Sequence, residues 1–300
     1  MRSFTLQVPA TTANLGPGFD SFGCAFQLYN VFTFTQIPHG LEFENIKPEF
    51  ATPDNLTVRS YHRALELFGL PPVEGGLRLR IDTEIPISSG LGSSASLIVA
   101  GVMAAGLMHG REFTREEILL AANDIEGHPD NVAPAIYGDM TVAMLSEGIP
   151  LAVKYEVSPA LNFVALIPDF ELNTKAARAA LPKSVSLADA VFNLSHGAML
   201  IKALQTADTH LIGHALRDRL HQPYRISLIP DYEILRKEAM AAGCCAFCIS
   251  GAGPTCMSLT TGKDTAERLA AALAARKDLA AHWKVLSLPV DHRGAAILSR

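Results

Sequence analysis

The residues from Ile85 to Ser96 read Ile-Pro-Ile-Ser-Ser-Gly-Leu-Gly-Ser-Ser-Ala-Ser and run directly into an apolar stretch, Leu97 to Met108. Gly90 and Gly92 permit a tight turn that a Cβ would obstruct. Ser93 or Ser94 is expected to cap the helix that follows, whose first amides have no intrahelical partners. Free N–H groups at the positive end of a helix dipole suit a phosphate. A plain turn ahead of a buried helix would read the same way, so the loop alone leaves both readings open. It lacks the Gly-Lys-Ser/Thr ending of a Walker A loop, so no lysine within it reaches a β- or γ-phosphate. It satisfies G-x-G-x-x-A loosely, but Pro86 separates the preceding strand from Gly90, and Glu112 falls in a polar stretch rather than at a strand end, against a dinucleotide fold.

Two carboxylates stand out. Asp20 lies in a Gly-rich loop between Phe19 and Phe22, where it could hold an ammonium group or simply face water. Glu126 ends a helical pattern begun by the capping box Thr114-Arg115-Glu116-Glu117. A carboxylate is misplaced at a helix C-terminus and calls for a positive neighbour. Mg²⁺ would serve, as would a lysine or simple exposure. His128-Pro129-Asp130-Asn131 follows it. Cys245-x-x-Cys248 lies on a strand, where i and i+3 face opposite ways, so buried thiols are expected rather than redox or zinc chemistry. The histidines show no H-E-x-x-H spacing.

The elements that must position these residues alternate. Strands are expected over Phe4–Val8, stopped by Pro9, then 30–37 and 77–81. Helices are expected from Pro53-Asp54 to Phe68 and over the apolar stretch. Past about residue 155 the pattern restarts: strand 161–167, helix 173–181, a helix capped by Ser186 to about Leu204, and a helix from Asp231 to Gly243. Strands 245–249 and 255–259, helix 264–276 and strand 284–288 complete it. This is an α+β chain in two parts, 1–155 and 156–300. With 49% hydrophobic and 18% charged residues the chain folds around a sizeable core. A formal net charge of −5 without a basic block argues against nucleic acid. The apolar stretch is shorter than the roughly 20 residues of a membrane span, and the N-terminus has no apolar h-region. Five cysteines without framework spacing fit a reducing cytoplasm.

Four blocks together carry a resemblance. They are Val8 to Asp20 (VPATTANLGPGFD), the PISSGLGSSAS loop, Glu126 to Pro134 (EGHPDNVAP) and Ser250 to Thr255 (SGAGPT). In this order, over nearly the whole chain, they resemble the homoserine branch of the GHMP small-molecule kinases. The central loop is shared by the superfamily, whereas the first and third blocks mark the branch. The resemblance implies an N-terminal domain with a left-handed βαβ crossover and a ferredoxin-like C-terminal sandwich. It implies ATP and Mg²⁺, with L-homoserine phosphorylated at its hydroxyl for threonine synthesis, and leaves room for a homodimer. The phosphates would lie on Pro86, Ile87, Ser88, Ser89, Gly90, Leu91, Gly92, Ser93, Ser94 and Ala95, with Asn55 on the adenine side. Ser94 and Glu126 would complete an oxygen shell for Mg²⁺. Asn14 and Asp20 would take the substrate ammonium, and Arg178 and Arg225 its carboxylate, with Thr174, His128 and Gly251 nearby. Asn131 would orient the hydroxyl, and Asp130 is the candidate base in a branch that implies a base-free reaction. A sugar or mevalonate-type substrate would not need Asp20 opposite two arginines, and a non-catalytic binding relative would not need every site residue in place.

Overall fold

The computed structural model describes residues 2–300, the side chain of Thr174 excepted. Its first half runs β1 (Ser3–Ala13), β2 (Phe22–Ile37), β3 (Leu41–Glu44), α1 (Leu56–Leu67), β4 (Gly76–Thr83), α2 (Ser93–Met108), α3 (Arg115–Glu126), α4 (Pro129–Tyr137), β5 (Met140–Ser146) and β6 (Ile149–Tyr155). The second half continues with β7 (Asn162–Pro168), α5 (Thr174–Ala179), α6 (Leu187–Thr206), α7 (Thr209–Ala215), α8 (Gln222–Arg225) and α9 (Tyr232–Ala241). It ends with β8 (Ala246–Ile249), β9 (Cys256–Thr260), α10 (Thr265–Ala274), α11 (Lys277–Ala280), β10 (Trp283–Pro289) and β11 (Ala296–Ser299).

One sheet has the order β11-β1-β2-β4-β3, with the β5–β6 hairpin attached to β2. Its parallel pair is β3 and β4, joined through α1. The other sheet is antiparallel with the order β10-β7-β9-β8. Numbered along the chain those four strands stand 4-1-3-2, with helices after the first and third. This is the β-α-β-β-α-β arrangement of a ferredoxin-like sandwich.

Three cores follow from the side-chain patterns. Phe32, Phe34 and Leu79 of the first sheet pack against α1 to α4. Helix α2 is apolar on every side and accordingly lies buried among them. Along β7, Phe163 and Ala165 face the first sheet and α6, while Val164 and Leu166 face α9 and α10. Phe26 meets Phe163 across the junction, ring centroids 5.0 Å apart, so the two sheets share a core.

Several sequence expectations change: the strand expected from residue 30 already begins at Phe22, and Asn55 rather than Pro53-Asp54 opens α1. Pro9 does not stop β1, because the β1–β2 ladder bulges between Pro9 and Ala10 and β11 pairs only Thr5 to Gln7. The missing N–H falls where pairing is already interrupted. Neither Ser93 nor Ser94 caps α2: the N-cap is Gly92 at φ +72°, with no side-chain cap bond. The strand at 284–288 is not the last, since β11 returns to pair with β1.

Candidate functional site

A cleft of about 1370 Å³ opens between the Gly-rich loop, the ends of α3 and α4, the 14–20 loop and α5. That exceeds the roughly 300–1,000 Å³ typical of a one-ligand pocket and leaves room for two small molecules.

The Gly-rich loop is clamped rather than free. Thr11 N–H donates to the Leu91 carbonyl (3.1 Å), and Thr255 N–H to the Ser89 carbonyl (3.2 Å). Ser250 Oγ donates to the Gly90 carbonyl at 2.6 Å. Buried Asn30 holds both ends of the loop: its Oδ1 accepts from the N–H groups of Glu84 and Ile85, and its Nδ2 donates to Ser96 Oγ. With no serine capping α2, the first amides of that helix keep no side-chain acceptor. An anion at this end would meet both the unpaired N–H groups and the positive end of the dipole.

Glu126 is the last residue of α3, half-buried, and accepts a hydrogen bond from Ser94 Oγ at 3.2 Å. Burial pushes its carboxyl above the usual carboxylate range and nearby Asp130 adds to this, while His128 and Ser94 oppose it. His128 Nδ1 lies 2.8 Å from Asp130 Oδ1, and that hydrogen bond raises the imidazole above its ordinary value. Asp130 is itself only 1% exposed. Thr11 Oγ1 donates to Asn131 Oδ1 at 3.0 Å, which leaves the Asn131 amide N–H groups without a partner among the described residues. Two hard oxygen donors, Ser94 and Glu126, thus sit beside the open end of α2. No group of three or more His, Cys, Asp and Glu that could hold a metal occurs among the described residues. The set fits an ion that keeps waters and phosphate oxygens in its shell, as Mg²⁺ does.

Across the cleft Arg178 forms a two-point ion pair with Asp20, Nη1–Oδ2 3.1 Å and Nη2–Oδ1 2.9 Å. Asp20 N–H donates to Asn14 Oδ1 at 2.8 Å, which holds the carboxylate-bearing residue in its left-handed conformation, φ +51°. Arg225 is 2% exposed. Burial, and then repulsion from Arg178, pulls its guanidinium below the ordinary value. The Phe19 ring is near both guanidinium groups, its centroid 5.7 Å from that of Arg178 and 5.3 Å from that of Arg225.

Most residues singled out from sequence therefore line one cleft: Asn14, Asp20, Asn55, Pro86, Ile87, Ser88, Ser89, Gly90, Gly92, Ser93, Ser94, Ala95, Glu126, His128, Asp130, Asn131, Arg178, Arg225 and Gly251. Leu91 does not: its side chain is wholly buried in the core below the loop, and only its carbonyl takes part, accepting from Thr11. The side chain of Thr174 lies outside the described residues. Asn55 reaches the cleft, but its amide is engaged in structure. It caps α1 through Thr57 N–H and donates to the Phe50 carbonyl. Thr11, Phe19, Asn30 and Ser250 each work through a partner far along the chain, which no local pattern records. Phe19 was the most accessible to sequence reasoning, as an aromatic residue beside Asp20.

The family described as GHMP kinases N terminal domain matches residues 55–139, and GHMP kinases C terminal matches residues 200–278. The chain is 39% identical over 295 residues to a homoserine kinase of Clostridium beijerinckii, covering 98% of each chain. Among solved structures, a homoserine kinase from Cytophaga hutchinsonii superposes with a TM-score of 0.87 at 30% identity, covering 99% of this chain and 98% of that one. A putative homoserine kinase from Listeria monocytogenes gives 0.82 at 31% identity, covering 99% and 100%.

Proposed function

The chain belongs to the homoserine kinases of the GHMP superfamily, and on that premise we propose how its cleft performs the reaction. It is an ATP-dependent kinase that phosphorylates the hydroxyl of L-homoserine, giving O-phospho-L-homoserine for threonine biosynthesis. The observation that carries the substrate reading is the Asp20–Arg178 pair beside buried Arg225. Homoserine has an ammonium and a carboxylate on one carbon, so its site needs one anion and a guanidinium fork. The half-exposed Asp20–Arg178 pair contributes at most about 1 kcal/mol, so the two groups exchange each other for the ends of a zwitterion at little cost.

On the ATP side the uncapped end of α2 and the clamped loop hold the phosphates. Ser94 and Glu126 would hold Mg²⁺, which when bound neutralises charge on the transferring phosphoryl group. Buried Asp130 fixes the His128 ring by its hydrogen bond to Nδ1. Thr11 fixes Asn131 with its amide N–H groups turned to the substrate hydroxyl. These residues position the hydroxyl and the polyphosphate, and a loose transition state needs little removal of the hydroxyl proton by a base.

The two-part division at 155/156, with β11 crossing back, belongs to the same proposal, as does a cytoplasmic location. All five cysteines are free, and no helix among the described residues is long and apolar enough to cross a membrane. Recovery of the protein in a membrane fraction would count against that location. A second copy of the chain is the proposed partner. The β5–β6 hairpin exposes Met144, Ile149, Leu151 and Val153, and α6 exposes Leu187, Val191 and Leu194, more apolar surface than scattered single residues. Light scattering should report twice the single-chain mass, and the single-chain mass would remove the dimer. Coupled ADP release with homoserine, mevalonate and galactose side by side tests the activity. Turnover is expected with homoserine alone, since galactose matches neither charge and mevalonate leaves Asp20 unpaired. Absence of homoserine-dependent ADP release would overturn the reading.

A further inference from the structure

Arg225 carries five N–H groups, and the protein uses three of them. Nε donates to the Ala177 carbonyl at 3.3 Å, and Nη1 to the Gly251 carbonyl at 3.2 Å. The remaining Nη1 proton points to His221 Nδ1 at 3.3 Å. Nη2 has no partner among the described residues, and Arg225 lines the cleft.

An imidazole nitrogen accepts only when it carries no proton. His221 meets this condition because its Nε2 donates to the Gly16 carbonyl at 2.9 Å, which fixes the tautomer. The ring is fully buried and stacks on Phe19, centroids 5.5 Å apart at 26°. Burial also keeps the imidazole below its ordinary titration range. The backbone of His221 is anchored in turn, its N–H donating to Asp218 Oδ2 at 2.9 Å. A neutral acceptor is thus held against a guanidinium whose other inward N–H groups are already used.

We propose that His221 is a positioning residue for substrate recognition, turning the Arg225 guanidinium so that Nη2 is presented to the substrate carboxylate. The proposal rests on the assignment of Arg225 above. His221 touches no substrate. Its effect reaches the reaction only through the carboxylate.

The test uses the full-length enzyme with homoserine and with 3-aminopropan-1-ol, which is homoserine without its carboxylate. His221→Phe keeps the ring and its stacking but removes both the Nδ1 acceptor and the Nε2 donor to Gly16, a second loss that the Asn and Gln variants separate. The expected result is a rise of about ten- to a hundredfold in KM for homoserine, as for a lost hydrogen bond to a charged group, with kcat and KM for ATP little changed. Its kcat/KM for 3-aminopropan-1-ol should equal that of the wild type. His221→Asn, which keeps an acceptor at the Nδ1 position, should restore much of the homoserine KM. His221→Gln, which reaches Gly16 but not Arg225, should not. If the phenylalanine variant fails to fold, the Asn and Gln pair carries the test, with unfolding midpoints to show both are native. Equal losses on both alcohols, or equal behaviour of Asn and Gln, would overturn the role of His221. A wild type that does not distinguish the two alcohols would overturn the Arg225 assignment itself.

Discussion

Glu126→Gln is expected to lower kcat/KM by on the order of a thousandfold, and Asp130→Asn by far less. Glu126 loses more than it gains from its own environment, since burial outweighs the help of His128 and Ser94. It closes α3 at the negative end of the helix dipole, and burial disfavours its charge. Its one hydrogen bond from Ser94 offsets only part of that. A carboxylate kept under such conditions makes sense if a cation joins it during the reaction. Gln keeps the shape and the Ser94 contact and removes the charge. The variant should therefore unfold at the same temperature as the wild type or higher, while losing turnover. Asp130 differs in that its Oδ1 already has a partner, His128 Nδ1, so its charge serves to hold that ring. Steady-state kinetics at saturating Mg²⁺, with unfolding midpoints, separate the two. General-base catalysis contributes roughly 10²–10⁴-fold, so a fall of several orders in a folded Asp130→Asn enzyme would make Asp130 the proton acceptor.

What the sequence made legible follows the range of each interaction. The capping box at Thr114 is local, spans four residues, and forms as the spacing predicts. The apolar stretch after the loop becomes a buried helix for the same reason. The cap of α2 is not legible, because a serine ahead of a helix is ordinarily its cap. Here Thr11, some eighty positions away, presses on the turn and requires a left-handed glycine at that position. A proline stops an isolated strand, whereas the bulge that accommodates Pro9 exists only once β2 is alongside. The cleft shows the same division. Its charged members stand in short blocks that can be read directly, but the side chains that aim them do not. Asn30 meets Ser96 across 66 residues, and His221 meets Gly16 across 205. No periodicity records such pairings. β11 was missed because its four residues carry no strand signal until β1 offers an edge.

Gly92→Ala should lower kcat/KM for ATP by roughly a hundredfold, the effect of displacing a binding element by about an ångström. Two penalties act together. The residue sits at φ +72°, where a Cβ costs about 1–2 kcal/mol. That Cβ would also stand 1.9 Å from Thr11 Oγ1 and 3.1 Å from both Thr11 Cβ and Thr11 N, so the loop or β1 must move. Either movement reaches the reacting groups, because Thr11 holds the Leu91 carbonyl with its N–H and Asn131 with its hydroxyl. Gly69→Ala separates strain from contact. Gly69 has φ +61° with nothing within 4 Å of a Cβ, so that variant should lose about 1 kcal/mol of stability and keep its ATP kinetics. Adding Thr11→Ala to Gly92→Ala removes the nearest contact but leaves the two at 3.1 Å, and should recover part of the ATP affinity relative to Gly92→Ala alone. Kinetics unchanged in Gly92→Ala would mean that the turn yields without moving the end of α2. The phosphate site at the end of α2 would then not depend on the left-handed turn at Gly92.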